Sequence, residues 1–300
     1  MQKELQVSNG TISETFAFTA TYKGKSNDTT CDNPYMLKDG EKVAIGTNDT
    51  SFITIDSTAF SGANATAVKD AAIHVNGEFA GPGTYYFDVT EVKGNTAGMT
   101  YYETTKELTV QHYANGDTKF FITNKIGDNA KDDGVFHNKY EASTLTIHKD
   151  VTGMQGDKGK TFDAEVEFTA PTGKTVNSTI AYKIGTGATQ YIEPTAWENS
   201  KVTVPITLHD GDAYDVVFDN VPYGVVYNVT ETDYKDVGYT TTYTNQSGTI
   251  SAAATNVTVK NDKKGTSPTG VIMTIAPYAL MVVLAGAFAV VFLTRRNRAE

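Results

Sequence analysis

The sequence contains one cysteine and eight prolines in 300 residues. Because Cys31 is alone, no intramolecular disulfide can form, and the chain must gain its stability in another way. The formal charge is −10, and no basic cluster occurs outside the C-terminal tail, so nucleic-acid binding has no electrostatic support. The five histidines have no metal-ligand spacing, and no Gly-rich phosphate loop or nucleophile elbow occurs, so neither a metal nor a cofactor is expected.

Leucine is sparse, and no long helical periodicity occurs before the C-terminal tail. Threonine, valine, tyrosine, phenylalanine and glycine are abundant instead. Those residues are typical of short strands and turns, so the sequence predicts an all-β fold for most of the chain. Without the tail, the remaining length has room for two domains of ordinary size.

The C-terminal tail has a different composition from the rest of the chain. Its apolar run from Val271 to Leu293 is long enough to cross a hydrocarbon core of about 30 Å as a helix. Arginines at 295, 296 and 298 would hold the end of that helix on the cytoplasmic side, which places the preceding chain outside the cell. The first seven residues resemble a strand and not a secretion signal, so we expect a start further upstream or a fragment.

A short motif, Ser267-Pro268-Thr269-Gly270, lies directly before the apolar run. It resembles the cell-wall sorting signal of Gram-positive surface proteins, in the Pro-Thr-Gly variant of some pilin subunits. The resemblance implies that a sortase cuts between Thr269 and Gly270 and passes the threonine carbonyl to an amine, and it leaves the sortase class open. The alternative is an ordinary single-pass anchor with a proline-containing stem.

The two halves of the chain share residues at fixed offsets. A Thr-Phe pair ends thirteen residues after Lys3 and again thirteen residues after Lys149. A Val-Thr-Glu segment occurs in each half, and each half closes on an asparagine that follows a basic residue. The repeat predicts domains at 1–140 and 141–263, followed by a sorting signal at 264–300 whose membrane helix covers 271–293. Neither Gly nor Pro lies between Asn138 and Lys149, which predicts a stiff connection.

Six polar residues of this repeat share strand faces with apolar residues. They are Lys3, Glu91 and Asn138 in the first half, and Lys149, Glu231 and Asn261 in the second. Burying an unpaired ammonium or carboxylate costs at least several kcal/mol, so the members of each trio must satisfy one another. One interpretation is a buried salt bridge with an amide partner.

The other interpretation of these trios is chemical. Burial disfavours charge, so it favours a neutral amine beside a protonated acid. A neutral lysine amine can attack the amide carbon of asparagine while the acid polarises the carbonyl and transfers protons. The product is a Lys–Asn isopeptide bond, formed once and without an enzyme, with ammonia as the leaving group.

With these trios and the Pro-Thr-Gly motif, the chain resembles the Gram-positive pilins with immunoglobulin-like (CnaB-like) isopeptide domains, such as the two-domain major pilin of group A streptococci. The resemblance implies two tandem immunoglobulin-like β-sandwiches, a Lys3–Asn138 bond promoted by Glu91, and a Lys149–Asn261 bond promoted by Glu231. It implies a structural pilus subunit on the cell wall and not a turnover enzyme. The implied partners are sortase, neighbouring subunits, peptidoglycan, the membrane before processing, and a host surface ligand that the sequence does not identify.

The resemblance also implies a nucleophilic lysine shortly before the asparagine that closes the first domain. Lys131 is the candidate, Lys125 or Lys139 could serve instead, and a solvated loop lysine without a role is the alternative. The acidic residues around Lys131 lack the spacing of a calcium loop. The alternatives to a pilus subunit are a sortase-anchored monomeric adhesin and a surface hydrolase with immunoglobulin-like spacers, for which the two repeats leave no catalytic module.

Overall fold

The structure is a computed structural model that describes residues 1–26, 31–124, 134–265 and 269–296. The side chains of residues 124, 269–277 and 292–296 are outside the described part. Up to residue 265, the described chain consists of strands, turns and three single turns of 3-10 helix, so the all-β prediction is confirmed for this part.

The strands fall into an N-terminal and a C-terminal group, joined by one long strand. The N-terminal group comprises β1 (Gln2–Ser8), β2 (Ile12–Phe16), β3 (Phe18–Lys25), β4 (Tyr35–Lys38), β5 (Glu41–Ala44), β6 (Ile53–Ile55), β7 (Thr58–Ala63), β8 (Ala67–Asp70), β9 (Ile73–Val75), β10 (Gly83–Glu91), β11 (Met99–Thr100), β12 (Lys106–His112) and β13 (Thr118–Asn124). The joining strand is β14 (Val135–Thr152). The C-terminal group comprises β15 (Thr161–Thr169), β16 (Ile180–Ile184), β17 (Gln190–Ile192), β18 (Lys201–His209), β19 (Val216–Pro222), β20 (Val226–Glu231), β21 (Thr240–Thr244), β22 (Ser247–Thr249) and β23 (Ala254–Asp262).

Each group forms two sheet layers around a hydrophobic core. One sheet, in the order β17-β16-β19-β14-β1-β8, extends through both groups, with β11 and β23 also paired to β14 and β21 paired to β23. In the N-terminal group the second layer has the order β13-β12-β10-β3, and in the C-terminal group it has the order β18-β15-β20-β22. Two separate clusters of buried apolar side chains lie between these layers, which we call the N-terminal core and the C-terminal core.

Strand β14 contributes to both cores with opposite faces. Phe136 and Tyr140, at even positions, enter the N-terminal core, whereas Leu145, Ile147 and Val151, at odd positions, enter the C-terminal core. Since side chains alternate between the two faces of a strand, this change of parity lets one unbroken strand serve two cores. It also explains why Asn138 and Lys149, an even and an odd position, are both buried.

The strands that carry the lysines and asparagines are neighbours in the shared sheet. Strand β1 pairs with β14 in parallel, with Lys3 opposite Phe136, and β23 pairs with β14 in parallel, with Lys149 opposite Val259. Parallel pairing brings the first strand of each group beside its last strand at the same level. The lysine near the start and the asparagine near the end of each half are therefore brought together by sheet register.

Hydrogen bonds from Asn220 connect the two groups at their junction. Its side-chain oxygen accepts from the Thr11 N–H at 3.0 Å and from the Tyr140 hydroxyl at 3.1 Å. Its side-chain nitrogen donates to the carbonyls of Thr11 at 2.8 Å and Thr179 at 2.9 Å. Asn220 has a φ of 66°, a left-handed conformation that asparagine tolerates better than most residues. All four hydrogen bonds available to one half-buried amide thus join elements on both sides of the junction.

The C-terminal tail forms helix α1 (Thr269–Arg296), which includes the apolar run predicted to span a membrane. Judged only on the residues that the structure describes, no helix is both long enough and apolar enough to cross a membrane.

Candidate functional site

The candidate site is double, with one cluster in each core. In the C-terminal cluster, Lys149 from β14, Glu231 from the end of β20 and Asn261 from β23 are all buried. The Lys149 Nζ lies 2.7 Å from Glu231 Oε2, and the Asn261 Nδ2 donates to Glu231 Oε1 at 2.6 Å. The Thr241 hydroxyl also donates to Glu231 Oε1, at 3.2 Å. One carboxylate therefore holds both the amine and the amide.

The N-terminal cluster repeats this arrangement with Lys3 from β1, Glu91 from the end of β10 and Asn138 from β14. The Lys3 Nζ lies 3.0 Å from Glu91 Oε2 and donates to the Phe136 carbonyl at 3.1 Å. The Asn138 Nδ2 donates to Glu91 Oε1, and the Asn138 Oδ1 accepts from the Tyr102 N–H at 2.7 Å. The six residues selected from the sequence thus meet as two trios with the same connectivity.

Each lysine amine lies over an aromatic ring. The Lys3 Nζ is 4.5 Å from the centroid of Phe16, and the Lys149 Nζ is 4.4 Å from the centroid of Phe162. These rings belong to the Thr-Phe pairs found in the repeat, for which the sequence suggested no role. Their constant offset from the lysine was the signal that could have identified them. The rings cover the amines and keep water away from them.

Burial shifts the titration of both amines. It lowers the pKa of Lys3 to about 8, although attraction to the Glu91 carboxylate opposes this change. Burial likewise lowers the pKa of Lys149, although attraction to the nearby Glu231 carboxylate opposes this change. A lower pKa increases the fraction of neutral amine, which is the nucleophilic form.

The C-terminal cluster leaves several polar atoms unsatisfied. Among the described residues, Lys149 Nζ, Glu231 Oε2 and Asn261 Oδ1 are buried without a hydrogen-bond partner. The contact between the first two atoms is close but lacks hydrogen-bond geometry. Buried polar atoms without partners cost about 1–3 kcal/mol each, more when they are charged. A reaction that consumes the amine and the amide would remove part of this cost.

A third buried lysine, Lys106 on β12, was not predicted from the sequence. It is 2% exposed, and its Nζ lies 5.2 Å from the ring centroid of Tyr102 and 5.4 Å from that of Phe136. Lys106 shares its parity with the buried Leu108 and Val110, so the alternation of side chains along β12 could have predicted that Lys106 faces the core.

The remaining sequence candidates are only partly described. Lys125, Lys131, Ser267 and Pro268 lie outside the described residues, as does the side chain of Thr269. Lys139, an alternative acceptor, is half-exposed and pairs with Glu141 at 2.7 Å.

Sequence spacing gave no metal site, but the fold brings one histidine close to two acids. His148 Nδ1 lies 2.8 Å from Asp215 Oδ1 and 3.4 Å from Asp212 Oδ1. The Asp212 side chain is 97% exposed, so this group lies at the protein surface.

Comparisons with known proteins match both halves of the chain. Residues 1–141 match the family described as Spy0128-like isopeptide containing domain, and residues 143–263 match a domain family of unknown function, DUF7601. A curated protein of Streptococcus pyogenes serotype M1, described as pilin, is 31% identical over 239 residues, which cover 73% of this chain and 69% of the relative.

Solved structures give the same result for the fold. A crystal structure of the major pilin from Streptococcus pyogenes aligns with a TM-score of 0.51 and 24% identity, covering 88% of this chain and 98% of that one. The major pilin protein T3.2 from Streptococcus pyogenes serotype GAS13637 aligns with a TM-score of 0.51 and 18% identity, covering 88% and 97%. At these identities the alignments support a shared fold.

Proposed function

The chain belongs to the family of streptococcal-type pilins with isopeptide-containing domains, and we propose that it is a sortase-polymerised, major-pilin-like structural subunit of a Gram-positive pilus, stiffened by two internal Lys–Asn bonds. The observation that carries the proposal is the presence of one buried lysine, glutamate and asparagine cluster in each core. The subunit is a structural protein, since each bond forms once and is not turned over.

The proposed architecture is two tandem immunoglobulin-like β-sandwiches at 1–140 and 141–263, followed by the sorting signal at 264–300. The two hydrophobic cores support this division. In the proposed signal, the segment 271–293 holds the chain in the membrane until a sortase cuts after Thr269. The released threonine is then joined to a neighbouring subunit or to peptidoglycan at the cell surface.

The proposed bond forms within the buried cluster. A proton passes from the Lys149 ammonium to Glu231, which leaves a neutral amine and a carboxylic acid. A half-turn of the Asn261 amide exchanges its oxygen and nitrogen, so that the protonated Glu231 donates to the carbonyl oxygen. The amine attacks the amide carbon, the C–N bond to Nδ2 breaks, and Nδ2 leaves as ammonia with the protons relayed by Glu231.

The N-terminal cluster offers the same groups and one further donor. The Tyr102 N–H, 2.7 Å from Asn138 Oδ1, is placed to stabilise the negative charge that develops on this oxygen during attack by Lys3. Glu91 takes the acid–base role. The absence of a comparable donor to Asn261 Oδ1 among the described residues is a difference between the two clusters.

The bonds would also determine how tension passes through a polymer. If Lys131 accepts Thr269 of the next subunit, force enters just before β14 and leaves just after β23. The Lys149–Asn261 bond connects these two strands directly, so the residues between them, 150–260, carry no tension. A subunit linked in this way resists extension because its backbone cannot unravel under load.

Two experiments test the proposal. The intact mass of recombinant residues 1–265 should fall short of the sequence mass by two ammonia molecules, and peptide mapping should recover Lys149 linked to Asn261. Wall extracts of cells that express the full chain with its sortase should show a ladder of covalent multimers that is lost in Lys131→Ala and kept in Lys139→Ala. A full mass with no linked peptides would refute the bonds, and wall-linked monomer alone would favour a monomeric adhesin.

A further inference from the structure

The direction of β14 places the two termini of the folded part at opposite ends of the molecule. Residues 135–141 of β14 pair in parallel with β1, and residues 144–152 pair in parallel with β23. Strand β14 has 18 residues, which correspond to about 55 Å at 3.3 Å per residue. Gln2 therefore lies at the free end of the N-terminal core, and Asp262 lies at the free end of the C-terminal core.

A solvent-exposed methionine lies at the free end of the C-terminal core. Met154, in the turn after β14, is 94% exposed. The neighbouring Gln155 N–H donates to the Lys263 carbonyl at 3.1 Å, so this turn is held against the segment that leads to Thr269. An apolar side chain is thus presented to solvent beside the segment that leads to the proposed site of linkage.

A groove with aromatic walls lies at the free end of the N-terminal core. Strand β10 begins at Gly83, which pairs with His112, and ends at Glu91. The chain then continues to Gly98, whose carbonyl accepts from the Glu141 N–H at the junction. His112 is therefore remote from the junction. It lines a groove of about 350 Å³ together with Phe79 and Phe120, which we call the distal groove.

The distal groove has the chemistry to receive a methionine. The rings of Phe79 and His112 stack with centroids 5.4 Å apart, and Phe120 remains 39% exposed on the core-facing side of edge strand β13. Val75 extends the apolar part of the lining, and Glu78 and Thr118 add polar groups at its edge. Thioether sulfur packs favourably against aromatic rings, and an unbranched side chain adapts to an irregular groove.

The proposed covalent link brings these two features together. Thr269 follows Asp262 by seven residues, which span at most about 25 Å when extended. Lys131 precedes Gly134 by three residues, or about 10 Å, and the Gly134 carbonyl accepts from Gln2 N–H at the free end of the N-terminal core. A bond between Thr269 of one copy and Lys131 of the next therefore holds the methionine end of one subunit close to the groove end of its neighbour.

We propose that Met154 of one subunit packs into the distal groove of a second copy of this chain, a noncovalent contact that positions Thr269 beside the acceptor lysine. The inference rests on the proposed function, since the second copy is the neighbouring subunit of the polymer. The two surfaces differ and lie at opposite ends, so the contact repeats head to tail and produces an open filament, not a closed dimer.

Disulfide trapping in the polymer tests this contact. The full chain carrying both Met154→Cys and Phe120→Cys is expressed with its sortase, the surface polymers are oxidised, and digested wall extracts are searched for a peptide that joins positions 154 and 120. Within one chain, position 120 lies at the free end of the N-terminal core and position 154 at the free end of the C-terminal core, so a disulfide between them must be intermolecular. The matched control carries Tyr191→Cys in place of Met154→Cys. Tyr191 is 63% exposed and lies on β17, in the C-terminal group of strands.

The docking contact predicts that the 154–120 disulfide forms in polymers and not in unpolymerised monomer. In polymers of the control pair, no disulfide should form between positions 191 and 120. A normal ladder with no 154–120 disulfide, or with as much cross-linking in the control, would overturn the docking contact and leave the pilus function intact. If the unsubstituted chain forms no multimers at all, the proposed function itself is wrong, and the docking contact is rejected with it.

Discussion

The substitution Glu231→Gln examines the chemistry of the C-terminal cluster most directly. It keeps the size and the hydrogen-bonding capacity of the side chain but removes the group that takes the proton from Lys149 and polarises Asn261. We expect the Lys149–Asn261 bond not to form. The intact mass should then rise by one ammonia molecule relative to the unsubstituted protein, after allowance for the substitution itself.

The loss of stability follows from the loop that this bond closes. About 110 residues lie between Lys149 and Asn261, and cross-linking a loop of that length stabilises the folded state by about 5 kcal/mol in the chain-entropy description. For a domain of this size, such a loss corresponds to a fall in melting temperature of roughly 15–20 °C. Glu231→Gln also leaves a buried ammonium without its carboxylate, which costs about 3–5 kcal/mol more.

Two comparison variants separate these effects. The double variant Lys149→Met/Glu231→Gln also prevents the bond and leaves neither the ammonium nor the carboxylate of the trio, so it should lose only the contribution of the cross-link. Glu165→Gln changes an exposed glutamate on β15 and should alter stability by no more than about 0.5 kcal/mol. We therefore expect Glu231→Gln to be the least stable variant, Lys149→Met/Glu231→Gln intermediate, and Glu165→Gln unchanged.

The assay for stability is urea unfolding followed by tryptophan fluorescence. The sequence has one tryptophan, Trp197, which packs against the C-terminal core and therefore reports on this half alone. If Glu231→Gln shows the same ammonia deficit as the unsubstituted protein, the acid–base role of Glu231 is wrong. If the unsubstituted protein has no deficit, the cluster is a buried salt bridge and the proposed bond does not exist.

Three further predictions concern the N-terminal cluster and the junction. Glu91→Gln should restore one ammonia molecule independently of Glu231, so that the double variant regains both; an intact mass unchanged by Glu91→Gln would contradict this. Asn220→Ala removes four hydrogen bonds at the junction and should destabilise the folded protein by about 1–3 kcal/mol. Calorimetry should then resolve two unfolding transitions in place of one. A single unaltered transition would show that the junction does not couple the unfolding of the two halves. In Asn138→Ala, which keeps Lys3 unlinked, the folded amine has a pKa lowered from 10.5 to about 8. Between these two pH values the unfolded chain binds more protons than the folded chain, so the free energy of unfolding should rise with pH from about 8 to about 10.5. Urea titrations at several pH values measure this rise. A fall of the free energy of unfolding across this window would refute the buried-amine assignment.

The sequence alone determined the strand content and the identity of the cluster residues. Both follow from local rules: strand-forming residues favour strands, and alternation assigns each side chain to a face. Lys149 shares its parity with Leu145 and Ile147, and Glu231 shares its parity with Tyr227 and Val229, so each was expected on a core-facing side before any contact was known. The high cost of an unpaired buried charge then required these residues to have partners.

Only the tertiary structure decided which atoms meet. Lys149 and Glu231 are far apart in sequence, and their 2.7 Å approach depends on the pairing of β14 with β23 and on the packing of two sheet layers. No local pattern determines such pairings, because the same alternation fits many registers. The aromatic rings beneath the amines and the four hydrogen bonds of Asn220 depend in the same way on long-range packing. Local sequence therefore selected the faces and the chemistry, and the fold selected the neighbours.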